Sequence, residues 1–430
     1  MPLIYPICAG MDVHKDTVTV CLRWSAATGE RQQDLRTFRT MTNDLLAMRT
    51  WLVENHCHVV ALESTGPYWR PIWNVLEEVE MELFLVNPAH LKRAPGRKTD
   101  PEDSIWLAKR LEDGAVEGSF VPTELMRDAR ELTRYRRRLI QDQTREVNRL
   151  QKILESANIK LASVATDIMG VTGRALLKEL IAGKTPDVEH CAKGRLRQKM
   201  DELREAMVGR LRPHHRLLLG QILQHIEFLD AAIAQCDQEV EELFRPFAAV
   251  IALMCKTPGI QRRAAEDILA EIGADMSHFP SAKHLCAWAA ICAGNHQSGG
   301  KRLSGKTRKG NPWLRAILVE CAHAAAKTKG SYLQKLYRRL AVRKGERRAA
   351  VAVAHSLLES LYYILRDHVE YQEPQRVLSV SQRERKIRHH LQQLVELGVD
   401  APQVEQLLKA GIALIPAGTD TNTPSEAAVA

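Results

Sequence analysis

The sequence predicts an α/β domain followed by all-α domains, and three patterns carry that expectation. In the first third, runs rich in β-branched residues alternate with amphipathic stretches, the order of a mixed sheet with flanking helices. Two charged stretches, residues 124–161 and 214–244, repeat apolar residues about every 3.5 positions, as a long helical, coiled-coil arm does. Beyond Cys255 the apolar spacing is helical throughout. The expected boundaries are 1–122, 123–250, 251–370 and 371–430, and 430 residues suffice for two or three separate cores.

Each element has a local reason. "ICAGMDVH" (7–14) is an apolar run of strand length, and "TVTVCLRW" (17–24) alternates β-branched residues with period two. "RQQDLRTFRT" (31–40) suits a third strand, 42–54 a helix, and "HVVALES" (58–64) a buried strand. Residues 68–79 suit a helix, "ELFLVNP" (82–88) a fifth strand and 100–111 a helix, with Pro101 in its first turn and Asp100 as N-cap. In the arm, Leu132, Leu139, Val147, Leu150, Leu154, Ala157 and Leu161 form one seam. Leu218, Ile222, Leu229, Ile233, Cys236, Val240 and Leu243 form the other, with His225 on it as an interior histidine. That pattern fits either an antiparallel arm within one chain or a coiled coil between subunits. Residues 170–212 are polar and assign themselves to no element.

"TPGIQRRAAEDILAEIG" (257–273) resembles a helix-hairpin-helix, in which a Pro-Gly turn opens an Ala-rich helix. Such a turn either offers N–H groups to a phosphate or simply starts a helix. Helices are expected over 281–294, 313–330 and most of 332–366. A charged helical extension then leads to "AGTDTNTPSEAAVA", a tail too polar to pack.

The formal charge is +9, and its distribution says more than its sum. Between Ser298 and Arg348 stand 15 Lys/Arg against Glu320 and Glu346, a local +13, so the rest of the chain is net −4. A concentrated basic surface of this kind points to nucleic acid. The nine cysteines are scattered without a CxxC, which fits reduced thiols in a cytosolic, that is cytoplasmic, protein. His56-Cys57-His58 looks like a metal cluster, but neighbours in a strand point to opposite faces. No apolar run approaches the length of a membrane span.

Four acids stand at chemically telling places. Asp12 and Glu63 end two predicted strands, and Asp100 and Asp103 lie three apart at a helix start. Oxygen donors so arranged suit a hard divalent ion, Mg2+ or Mn2+, and phosphoryl transfer uses such an ion to neutralise the phosphate. Asp16 and Glu102 are neighbouring substitutes; Asp16 falls after the strand and Glu102 points off the face of the pair. The other chemical candidates are Ser298 and Ser304, each beside glycine in "NHQSGGKRLSGKTRKGNPWLR" (295–315). From the residues alone the two serines are near-equal candidates, and a non-reactive basic loop is favoured over both. Lys301, Arg302, Lys306, Arg308, Lys309 and Arg315, with Arg338 and Arg339 further on, are placed to grip phosphates. Trp313 either stacks on a base or belongs to the core.

"GMDVHKDTVTV", "ALESTGPYW", "VNPAHLKRAPGRKTDPEDSIWLAKRL", "KTPGI" and "QSGGKRLSGKTRKGNPWLR" together resemble the insertion-sequence one-ten family of bacterial DEDD transposases, its eleven-eleven subgroup. The resemblance covers about residues 7–121 and 255–367. It implies an N-terminal RuvC-like, RNase H-type domain whose DEDD set maps to Asp12, Glu63, Asp100 and Asp103. It also implies a C-terminal transposase domain with a serine nucleophile at Ser298. By the same resemblance, a bridge RNA pairs with donor and target DNA, and the enzyme acts as a homodimer or homotetramer. Two readings compete with a recombinase: a RuvC-like nuclease or resolvase using water, and a non-catalytic nucleic-acid-binding protein.

Overall fold

The computed structural model describes residues 4–26, 30–63, 66–87, 100–294, 296–374 and 380–396, with 398, 402, 403 and 406. Five strands form the first sheet: β1 (Ile7–Val13), β2 (Thr17–Ser25), β3 (Arg31–Arg39), β4 (Val59–Glu63) and β5 (Glu82–Val86), in the order β3-β2-β1-β4-β5. β1, β2 and β3 are antiparallel neighbours, whereas β4 pairs parallel with both β1 and β5. The connections explain the mixture. Short turns join the first three strands, while helices α1 (Thr42–Glu54) and α2 (Trp69–Leu76) provide the crossovers that parallel pairing requires.

Strand alternation then sorts the side chains onto two faces. Ala9, Met11, Val13, Val60 and Leu62 pack with Leu45, Met48, Leu52 and Ile72 of α1 and α2. Cys8 and Ala61 point the other way, onto Leu107 and Leu111 of α3 (Asp100–Glu112). Gly10 is where α3 sits closest, since a Cβ there would fall 2.4 Å from both Ser104 O and Ala108 N. Helix α3 starts at Asp100 itself, so Asp100 is its first residue and not the expected N-cap; its side chain lies outside the described residues.

The arm is intramolecular and antiparallel. Along α4 (Glu124–Ser156) and α9 (Pro213–Leu243), Arg136 meets Asp237, Gln143 meets Asp230, and Ser156 meets His215. Leu139, Leu229, Ile233 and Cys236 form the small apolar core midway along this pair. Residues 170–212 turn out to carry α6 (Val171–Ile181), α7 (Val188–Cys191) and α8 (Met200–Ala206), which with α5 (Leu161–Val164) build a helical cap. It closes over Leu150, Leu154, Leu219 and Ile226. Most of these helices are too short for a period to show in sequence.

The cap also corrects the seam. Leu218 is 42 % exposed and Leu219 is fully buried, because the first half of α9 turns toward the cap as well as toward α4. His225 is half exposed and ion-paired with Glu146 rather than interior. Leu161 belongs to α5, since α4 ends at Ser156. Contrary to expectation, α9 is by length and composition apolar enough to cross a membrane. One stripe of its apolar residues, Leu219, Ile226, Leu229 and Ile233, nevertheless packs on α4 and the cap, while Leu217 and Phe228 are exposed and Lys178–Glu227 and Arg174–Asp230 ion pairs decorate it.

The C-terminal domain packs α10 (Ala248–Cys255), α11 (Arg262–Ile272), α12 (Ala282–Trp288), α13 (Pro312–Lys327) and α14 (Tyr332–Lys344) around α15 (Glu346–Asp367). Two expectations need correction here. The helix expected over 281–294 stops at Trp288, with Ala290 left-handed at φ 53°. The basic stretch contains a β-hairpin, β6 (His296–Ser298) and β7 (Lys301–Ser304), in a domain expected to be all helix. The Pro-Gly turn before α11 is packed on α13, since a Cβ on Gly259 (φ 87°) would lie 2.4 Å from Cys321 O. Residues 372–430 form a separate unit in which α16 (Val380–Glu396) is the charged helix expected there; the polar tail lies outside the described residues.

All nine cysteines are free, and burial pushes the Cys8, Cys57, Cys286 and Cys321 thiols up to about 12, so these four are inert at neutral pH. Cys57 points into the core and donates to Val59 O, which removes it from any cluster with His56 and His58.

The root of the arm is held by a buried charge cluster. Arg136, 1 % exposed, donates to Asp237 Oδ1 (2.9 Å), Glu266 Oε2 (2.9 Å) and Asp267 Oδ1 (2.6 Å). Even beside this guanidinium, burial pushes the Asp267 carboxyl up to about 6. Arg136→Met keeps the bulk and removes the counter-charge, so it is expected to cost about 3–5 kcal/mol, measured as a lower denaturant midpoint. An unchanged midpoint would show that Arg262 and Arg263 compensate the acids by themselves.

Candidate catalytic site and nucleic-acid interface

The sheet sets two of the four predicted acids, Asp12 and Glu63, side by side, and α3 brings the turn that bears Asp103 level with them. The β1–β4 register runs Ala9↔Val60, Gly10↔Ala61, Met11↔Leu62, so Asp12 and Glu63 come next as neighbours at the carboxyl ends of parallel strands. Both follow the alternation of Gly10 and Ala61 and so lie on the α3 face. Helix α3 runs antiparallel to β1. Its last residue, Glu112, accepts from the backbone of Ile4 and Tyr5 before β1, and its carboxylate pairs with Arg23 and Arg31. Residues 104 and 108 sit over Gly10. Two strand residues further on, roughly 6.6 Å, correspond to about four helical residues back, which brings the 100–104 turn level with Asp12.

Exposure separates the candidates from their substitutes. Asp12 is 7 % exposed and Asp103 is half-buried, whereas Asp16 and Glu102 are exposed. Asp12 Oδ2 lies 3.2 Å from His14 Nε2, a partner that sequence reasoning missed. The signal was available, because His14 stands two residues on and therefore on the same face. The donor set is all carboxylate, which fits a hard ion such as Mg2+ or Mn2+ and not a thiolate-seeking one. Among the described residues no three His, Cys, Asp or Glu are gathered closely enough to hold a metal ion.

The hairpin separates the two serines by position. Ser298 pairs with Lys301 across a two-residue turn, whereas Ser304 pairs with His296 at the hairpin base. Gly299 (φ 55°) and Gly300 (φ 75°) are both left-handed, as a type I′ turn demands, and a Cβ on either would meet open space. Ser298 is thus the last strand residue before an uncovered tip. The side chains of His296, Ser298, Arg302 and Ser304 lie outside the described residues.

Around the hairpin, Lys301, Lys306, Arg308 and Lys309 are exposed, as are Arg338 and Arg339 on α14. Arg315 is partly buried and donates to Thr307 Oγ1 at 2.7 Å, so it braces the stretch instead of standing free. Trp313 is neither core nor an open platform. Its ring is half-buried, with the guanidinium carbons of Arg134 and Arg138 from α4 at 5.6 and 5.5 Å.

Comparison with known proteins falls on the same two regions. A family model described as transposase, for DEDD enzymes of the IS110 type, matches residues 9–159. A second, described as transposase IS116/IS110/IS902 family, matches residues 251–338. The putative transposase y4qE of Sinorhizobium fredii is 26% identical over 288 residues, 65% of this chain and 62% of that protein, a little under two thirds of its length. The insertion element IS900 uncharacterized 42 kDa protein of Mycobacterium paratuberculosis is 27% identical over 302 residues, 64% of this chain and 73% of that one. A pilin gene-inverting protein of Moraxella lacunata is 24% identical over 381 residues, 84% of this chain and 95% of that one.

Proposed function

Since the chain belongs to the IS110 family of transposases, we propose that it is a recombinase that cuts and rejoins DNA with Ser298 as nucleophile beside an acidic centre of Asp12, Glu63, Asp100 and Asp103. The observation that carries this reading is the placement of Asp12 beside Glu63, with the start of α3 level with them. Alignment over most of its length with a protein named for inverting a pilin gene supports rearrangement of DNA, beyond mere binding.

In the proposed step the Ser298 hydroxyl oxygen attacks the scissile phosphorus. A P–O bond to serine forms, the P–O3′ bond breaks, and the hydroxyl proton ends on the departing 3′ oxygen. The products are a 5′-phosphoserine link and a free 3′-OH. Attack by a 3′-OH of the exchanged strand reverses the step, so rejoining needs no ATP. A divalent ion on the carboxylates supplies positive charge to the non-bridging oxygens. Lys301, Arg302, Lys306, Arg308 and Lys309 hold the flanking phosphates, and Arg338 and Arg339 extend that surface. Target choice is assigned to a bridge RNA that pairs with donor and target DNA. The working unit is a homodimer or homotetramer in which one subunit's acids serve another's serine.

The test is to incubate the purified protein with DNA spanning the ends of its element and RNA transcribed from the adjoining non-coding segment. With Mg2+ or Mn2+, a protein–DNA adduct resistant to denaturing detergent is expected, and EDTA removes it. Cleavage without any adduct would instead make water the nucleophile and overturn the serine step.

A further inference from the structure

We infer that Glu271 and Asn311 are positioning residues through which the arm helix α4 holds the base of the Ser298 hairpin. The inference deepens the functional reading above and rests on Ser298 as the nucleophile. Glu271 lies in the last turn of α11 and is 2 % exposed. Its Oε1 accepts from Arg134 Nε (2.7 Å), and its Oε2 from Arg134 Nη2 (2.8 Å) and Asn311 Nδ2 (2.6 Å). Arg130 Nε stands 3.2 Å from the same Oε2 and also donates to Ala270 O, while its Nη2 donates to Glu271 O at 2.6 Å. A buried carboxylate held this fully has one orientation.

Asn311 works at both of its ends. Its Oδ1 accepts from Trp313 N (3.0 Å) and Leu314 N (3.2 Å), capping α13, while its Nδ2 is committed to Glu271. Serine or aspartate would cap equally well. Only a side chain that carries its acceptor and its donor on separate atoms, as an amide does, fills both jobs, and it does them where the basic stretch enters α13. The residue before it is also fixed, because a Cβ on Gly310 would lie 2.4 Å from Ala290 Cβ and 2.9 Å from Ala289 O. Both Arg134 and Arg138 lie over Trp313, which reinforces the contact of α4 with the same helix start.

The same turns of α4 also face the sheet domain. Arg127 pairs with Glu77 and Asn74 of α2, and Glu131 pairs with Arg70. Positions 127 and 131 therefore grip the domain that carries the acids, while 130 and 134 grip Glu271. Two turns of one helix thus touch both domains, and Asn311 fixes the start of α13, where the chain leaves the basic stretch that carries the hairpin.

Asn311→Ser separates the two jobs, since the short hydroxyl keeps the cap but cannot also reach Glu271 in place of Nδ2. In the full chain, hydrogen exchange of the 296–304 amides is expected to speed up roughly ten-fold while α15 exchange is unchanged. Adduct formation at saturating DNA is expected to slow about ten-fold or more, with DNA affinity within about two-fold. Asn311→Ala should slow it as much and lower the melting temperature as well, because the cap is then lost too. Unchanged hairpin exchange in Asn311→Ser overturns the tie, and faster exchange with an unchanged rate overturns positioning. If the wild-type protein forms no Ser298-dependent adduct, the functional reading fails, while hairpin exchange still decides whether the tie exists.

Discussion

Asp12→Asn is expected to reduce DNA strand cleavage by about a thousand-fold or more, the scale of losing a principal charge-stabilising group in phosphoryl transfer. The change is nearly isosteric and keeps a polar partner for His14 Nε2, which lies 3.2 Å from Asp12 Oδ2. Asp12 ends a strand whose packing is carried by Ala9, Met11 and Val13, so the sheet should survive and melting should be nearly unchanged. DNA binding should also persist, because Lys301, Lys306 and Arg338 lie in another domain. The measurement is cleavage under single-turnover conditions together with a binding titration. Cleavage within about ten-fold of wild type would remove Asp12 from the chemistry.

The second large effect concerns the adduct itself. Ser298→Ala is expected to abolish the covalent protein–DNA species outright, since alanine has no oxygen with which to form the P–O bond. Ser304→Ala should leave it intact, because Ser304 sits at the hairpin base opposite His296 and away from the tip. The substitution at 298 is structurally mild. Hairpin shape is set by Gly299 and Gly300 in left-handed conformations and by the Ser298–Lys301 backbone pairing, none of which needs the hydroxyl. Affinity for DNA should therefore change little. An adduct persisting in Ser298→Ala, and mapping by mass to another residue, would relocate the nucleophile.

The same residues show how far the sequence could be read. The β1 segment was legible because its mostly apolar residues run only to strand length, and the β2 segment because Thr17, Val18, Thr19 and Val20 stack β-branched residues. Pro101 and the Asp100–Asp103 spacing marked the start of α3 to within one residue, since Asp100 opens the helix instead of capping it. The 170–212 cap was not legible, since its amphipathic pieces bury residues only against each other and the ends of α4 and α9. The hairpin was hidden for a different reason. Its strands are three and four residues long, below the length at which alternation can be told from chance. The half-exposure of His225 and the shift from Leu218 to Leu219 were hidden too, because both depend on which neighbour α9 meets.

By itself, then, the sequence determined the α/β start and helical remainder, the concentration of charge between residues 298 and 348, and the chemical candidates, because these are properties of residue type and spacing along the chain. Only the tertiary structure decided that the arm folds back within one chain, that Asp12 and Glu63 share a face with the start of α3, that Ser298 rather than Ser304 stands at an open tip, and that Asn311 is tied through Glu271 to α4. The arm, the acidic pair and the Asn311 tie rest on contacts between residues 40 or more positions apart, which leave no period in the local pattern, and the hairpin is local but too short to show one.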